Sequence, residues 1–104
     1  MSNITKIAMA QSLKRMLLIK DLDKITINDI ANDCGINRQT FYYHFKDIYD
    51  LLEWIFANEV VKKIEKETTI ENWQENFKYV LDYMLENKKF IIKIYNSLSR
   101  KTLL

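Results

Sequence analysis

"TINDIANDCGINRQTFYYHFKD", residues 26–47, is the stretch whose reading decides the fold. Thr26, followed three residues later by Asp29, has the form of a capping box with Asp in place of Glu. The hydroxyl accepts from the exposed N–H groups of a first turn, and the carboxylate favours its positive end. A short helix over about residues 27–33 follows, with Ile27, Ile30 and Ala31 facing inward. Gly35, the only glycine, stops it as the residue able to take positive φ just past a helix end. Asn37 is a good cap for a third helix, about residues 38–45.

On that third helix Phe41 and Phe45 are i and i+4, so they share one face and anchor the helix to its neighbours. Arg38 and Tyr42 form a second line, Gln39 and Tyr43 a third, Thr40 and His44 a fourth. A helix built only to stabilise a core would spend those positions on Leu, Ala and Lys. A catalytic site needs a concave pocket with convergent groups. This helix is a convex rod, the shape that enters a DNA major groove about 12 Å wide. Arg38 at the N-terminal end fits the O6 and N7 acceptors of guanine, and Gln39 fits adenine in the same way. Thr40 can donate to a phosphate or touch a thymine methyl. Tyr42, Tyr43 and His44 can donate to phosphate oxygens, fixing register without reading sequence. Adjacent residues point about 100° apart, so Tyr42 and Tyr43 cannot both join the Phe face, and both read as contact residues.

Working outward, the whole chain of 104 residues reads as all-helical. It is 48% apolar and 29% charged, and it has no Pro. A sandwich or barrel needs a turn about every 8–12 residues, which this composition does not supply. The net charge of +2 is unevenly placed: residues 1–46 carry a balance of +3 and residues 47–104 one of −1. A polyanion would meet the N-terminal half, through placed contacts rather than bulk charge. Cys34, the single cysteine, excludes an internal disulfide and reads as an inert thiol. No apolar run approaches the ~20 residues needed to span a bilayer, and no signal-peptide pattern is present. A cytoplasmic protein is expected.

A first helix is expected over residues 4–20, on the stripe Ile7, Ala10, Leu13 and Leu17, with "KDLDK" breaking the pattern. Asp47 caps a long fourth helix to about Lys66, with the stripe Leu51, Leu52, Ile55, Phe56, Val60 and Ile64. Thr68 with Glu71 forms a second capping-box candidate. The fifth helix has the strongest amphipathic pattern, Trp73, Phe77, Val80, Leu81, Met84 and Leu85, and reads as core. In the sixth, Phe90 to Leu98, Ile91, Ile92, Ile94, Tyr95 and Leu98 ask for partners on several sides. Either a second subunit or a continuing chain is expected to cover them, and a shortened chain is favoured. Lys6, Lys14, Lys62, Lys63, Lys88 and Lys89 read as solvated faces.

The quoted stretch resembles the helix-turn-helix of the TetR/AcrR family of bacterial transcriptional regulators, through the Ala31–Gly35 spacing, Thr26 opening the second helix and "TFYYHF" in the place of the recognition helix. The likeness runs over about residues 4–60. "RQTFYYHF … LLEWIF" further resembles a branch containing regulators of dihydroxyacetone kinase genes. The resemblance implies a three-helix, homeodomain-like DNA-binding domain at residues 1–46. Residues 47–104 would be a connecting helix and a partial helical regulatory and dimerisation domain. It implies DNA contacts by Thr26 and Asn28 on the second helix, and by Arg38, Gln39, Thr40, Tyr42, Tyr43 and His44 on the third. Where the family often has a phosphate-touching lysine early in the fourth helix, this chain has Ile48, and Lys46 is the candidate substitute. The family usually has a Gly between the first two helices, where this chain has "KDLDK".

The expected function is therefore sequence-specific transcriptional regulation as a homodimer on double-stranded operator DNA. A small-molecule effector or protein partner would act at the C-terminal region. The competing expectation is a co-regulator that works through a partner protein without gripping DNA itself. No enzyme, cofactor, metal or membrane role is expected: there is no phosphate loop and no metal-ligand cluster. Asp47 with Asp50 and Glu65 with Glu67 are explained by capping and by a charged surface.

Overall fold

The computed structural model of the protein describes residues 2–67 and 69–102, all of its regular structure being helical. Helix α1 spans Ser2–Leu17, α2 Ile27–Cys34, α3 Arg38–His44, α4 Ile48–Phe56, α5 Lys62–Glu67, α6 Trp73–Glu86 and α7 Lys88–Thr102. Helix α1 buries Met9, Ala10, Leu13 and Leu17, while Ile7 is 47% exposed, so Met9 takes the place expected for Ile7. The "KDLDK" break is a 3-10 turn, Leu22–Lys24, that drives Leu22 into the core. Among the described residues only Gly35 has positive φ. The turn between α1 and α2 thus needs no glycine.

Both expected caps around α2 are present. Thr26 Oγ1 accepts from the Asp29 N–H, and Asp29 Oδ2 accepts from the Thr26 N–H, each at 3.0 Å. Gly35 lies at φ 72°, ψ 29°. Its N–H donates to the Asn32 carbonyl and the Ile36 N–H to the Ala31 carbonyl, the paired bonds of a Schellman ending. Asp47 caps α4 by accepting from the Asp50 N–H at 2.8 Å. Thr68 lies outside the described residues. The reciprocal pair seen there is Thr69 with Asn72, at 2.7 and 3.2 Å.

One hydrophobic core joins Leu13, Ile30, Phe41, Leu51, Ile55 and Phe90, from all of α1–α4 and α7. Each such side chain, fully buried, contributes about 1.5–3 kcal/mol of transfer free energy. Lys93 of α7 adds an ion pair to Asp21 at 3.2 Å.

Two expectations need correction. The long fourth helix is not uniform: between α4 and α5, Ala57–Val61 forms a π turn. Phe56, Ala57 and Lys62 keep right-handed helical dihedrals, so the rod 48–67 is continuous but locally widened. Hydrophobic period cannot reveal a one-residue slip of this kind. The second correction concerns α6. Its inward face is Asn76, Tyr79, Val80 and Tyr83, so of the expected apolar stripe only Val80 turns in and the rest faces out: Trp73 is 53% exposed, Phe77 58% and Leu85 72%. The inward tyrosines are satisfied by Glu59, whose carboxylate accepts from Tyr83 and whose carbonyl accepts from Tyr79.

Gly35→Ala puts no Cβ within 4 Å of a neighbour, so its cost is conformational. Urea unfolding should show a loss of about 1–2 kcal/mol, and Gly35→Asn a smaller one, because Asn tolerates the left-handed region.

Candidate nucleic-acid interface

Helix α3 has seven residues, and isolated helices shorter than about 12–15 residues are marginal in water. Packing and capping therefore hold it. Phe41 is fully buried and Phe45 nearly so, with ring centroids 5.9 Å apart. Phe45 also meets the Trp54 ring edge-on at 6.0 Å. At the other end Asn37 Oδ1 accepts from the Thr40 N–H at 2.8 Å and from its hydroxyl at 3.0 Å.

With the Phe face fixed inward, the remaining lines of the wheel point out. Tyr43 is 83% exposed and Tyr42 46%, so neither belongs to the core. Arg38 and Gln39 are exposed. Arg38 lies along its expected line with Tyr42, its guanidinium 3.4 Å from the hydroxyl and 5.6 Å from the ring centroid. Stacking of this kind holds the donor fork extended along the helix, at low entropic cost for a further contact. Thr40 and His44 are half-buried. The Thr40 hydroxyl proton is taken by Asn37, so toward a ligand this side chain offers lone pairs and a methyl group. His44 packs edge-on against Tyr43 at 5.0 Å.

On α2, Thr26 and Asn28 are exposed. The Thr26 oxygen accepts within the cap, which leaves its hydroxyl proton to donate outward. Asp29 is held below the usual carboxylate range, first by the Thr26 N–H and then by Lys20, whose ammonium lies 3.2 Å away. Lys46 is exposed, and its backbone N–H donates to Asp50 at 2.9 Å. Ile48 packs half-buried against the core.

One basic residue of this region reads in the sequence only as a solvated face. Lys6, near the start of α1, brings its ammonium 5.8 Å from the Phe45 ring centroid and shares a groove with His44. Nothing local marks it, because the proximity is tertiary.

The arrangement is a short, rigid, convex helix with donors outward. Among the described residues no group of three or more His, Cys, Asp or Glu could hold a metal ion. Comparison with known proteins agrees with the geometry. Residues 14–55 match the family model of bacterial regulatory proteins, tetR family. The chain is 33% identical over 94 residues to the HTH-type dhaKLM operon transcriptional activator DhaS of Lactococcus lactis subsp. lactis (strain IL1403), covering 90% of this chain and 50% of that protein. A solved structure, described as dihydroxyacetone kinase operon activator DhaS, superposes with a TM-score of 0.75 at 33% identity, over 88% of this chain and 52% of that one. The chain thus spans about half the length of the relatives it matches. The tetR family and these relatives are regulators, not enzymes.

The lowered pKa of Asp29 bears on stability. A carboxylate whose folded-state pKa is lowered stabilises the fold above its unfolded value and loses that contribution as pH falls through the folded one. Asp29→Asn should therefore melt below the parent protein at pH 7. The gap should narrow as pH drops below 3.8, the group's ordinary value, measured as melting temperature against pH.

Proposed function

We propose that the protein is a sequence-specific DNA-binding transcriptional regulator that lays α3 in the major groove and acts as a homodimer on a two-fold related operator. The observation that carries this reading is the outward display of Arg38, Gln39, Tyr42 and Tyr43 from a helix locked by Phe41, Phe45 and Asn37. Arg38 and Gln39 read base edges. Tyr42, Tyr43, His44, Lys46, Thr26 and Asn28 set the register on the phosphate backbone, and Thr40 touches a thymine methyl or a backbone atom. Dimer half-sites would lie about 34–36 Å apart or at a multiple, so that both recognition helices meet one side of the duplex. The outward apolar side of α6 and α7, with Phe77 and Leu85 on the first and Ile92 and Tyr95 on the second, supports the expectation of a covering partner.

An effector, a small molecule or a protein, would act on the C-terminal helices. A cavity of about 500 Å³ lined by Lys14, Leu18, Leu85, Lys88 and Phe90 lies where α1 meets the α6–α7 corner, a place from which binding could shift the reading head. No described helix is long and apolar enough to cross a membrane. A reader of operator DNA works in the bacterial cytoplasm. The same apolar surface gives the second reading its support: a co-regulator held to DNA by a partner protein would show it too.

Selection of duplexes from a random pool, followed by binding at increasing salt, tests the primary reading. A steep fall of affinity with salt and a recovered two-fold consensus are expected. On the selected duplex Arg38→Ala should cost about 1–3 kcal/mol and relax preference at one position per half-site. Tyr43→Phe should weaken all sequences alike, and it tests a phosphate contact more cleanly than Tyr42→Phe, whose hydroxyl also holds Arg38. Unchanged preference among sites in Arg38→Ala would refute its base-reading role.

A further inference from the structure

Glu59 joins four helical elements at one point. It lies in the π turn of the rod, where hydrogen bonds run from five residues back, as from the Lys62 N–H to the Ala57 carbonyl. The widened turn shifts carbonyls out of the α register, and side chains supply extra donors to them. Asn58 Nδ2 donates to the Trp54 carbonyl at 2.8 Å and the Tyr79 hydroxyl to the Glu59 carbonyl at 2.5 Å. The Glu59 carboxylate uses both oxygens. Oε2 pairs with Lys14 of α1 at 2.5 Å, and Oε1 accepts from the Tyr83 hydroxyl of α6 at 2.7 Å. Lys14 in turn lies over the Phe90 ring of α7, 5.5 Å from its centroid.

This cluster is built rather than incidental. Tyr83 is 9% exposed, and burial, reinforced by the neighbouring Glu59 charge, raises its hydroxyl well above the ordinary value, so it stays a neutral donor. Lys14 and Glu59 are each about one-third exposed or less, and better shielded than the Arg15–Asp33 pair. A partly buried charge with two partners, here Lys14 and Tyr83, responds sharply when one is removed. Tyr79, Val80 and Tyr83 form the inward line of α6, and the two tyrosine hydroxyls end on Glu59. The seat of α6 against the rod and α1 therefore depends on this residue.

We propose that Glu59 is a positioning residue: a latch that holds α6 in one seat on the rod and α1, against which the DNA-reading helices pack, so that a dimer presents its two heads at one spacing. The proposal rests on the DNA-binding reading above. With the latch cut, the seat becomes variable and engagement of two half-sites weakens. Contact with one half-site, which involves α2 and α3, does not change.

The test uses Glu59→Gln, which keeps the size and an acceptor for Tyr83 but loses the ion pair, and Tyr83→Phe, which cuts the latch from the α6 side. Spin labels at Asn32→Cys and Gln74→Cys, in a Cys34→Ser background and diluted with unlabelled protein, report the α2–α6 distance. Both latch variants should broaden that distance distribution. Both should also lose about tenfold in affinity for a selected duplex with two half-sites, and none for a duplex carrying one. Thermal unfolding confirms that each variant is folded. An unbroadened distribution in both overturns the latch, and equal losses on the two duplexes show that Glu59 only supports the fold of the reading head. Parent protein that selects no duplex overturns the DNA reading instead, while the label distances still decide whether α6 is latched.

Discussion

The anchoring of two phenylalanine rings under a seven-residue helix is the constraint from which the rest of this surface follows. Helix α3 is too short to persist by its own backbone bonds, so Phe41 and Phe45 fix both its existence and its rotation. Once they point inward, the 3.6-residue period leaves no choice about the others. Arg38, Gln39, Tyr42 and Tyr43 must face solvent, at fixed offsets and on a convex surface. The capping box at Thr26, the left-handed Gly35 and the Asn37 cap set the angle at which α3 leaves α2. The pinned helix is thereby held against α1 and α4 through one core.

That local logic is why the helix-turn-helix was legible in the sequence. Caps, a positive-φ glycine and an i, i+4 aromatic pair act over a few residues, so their consequences can be read without tertiary knowledge. The face of Tyr42 and Tyr43 was legible for the same reason. Lys6 was not, because its approach to the Phe45 ring depends on how α1 crosses α3.

Legibility fails where a helix meets something the pattern cannot name. In α6 the apolar pattern gives the helical period but not the inward side. The rule that the apolar stripe faces the core presumes that the core lies on that side. Here Tyr79 and Tyr83 turn inward instead, because Glu59 offers their hydroxyls acceptors, and Trp73 and Phe77 are left outside. The π turn at Ala57–Val61 escaped for a related reason. Its side-chain donors, Asn58 and Tyr79, carry no spacing signature, yet they complete the hydrogen bonding of the widened turn. The features legible in sequence thus build the helix-turn-helix, and the missed ones connect it to the C-terminal helices.

Methylation protection on a selected duplex addresses the docking of α3 most directly, because dimethyl sulfate reports guanine N7 in the major groove and adenine N3 in the minor groove. Docking through Arg38 and its neighbours requires protected guanine N7 positions in two patches, their centres about one helical turn or a multiple apart. Protection confined to adenine N3, or a footprint with no protected guanine N7, would contradict the placement of this helix in the major groove.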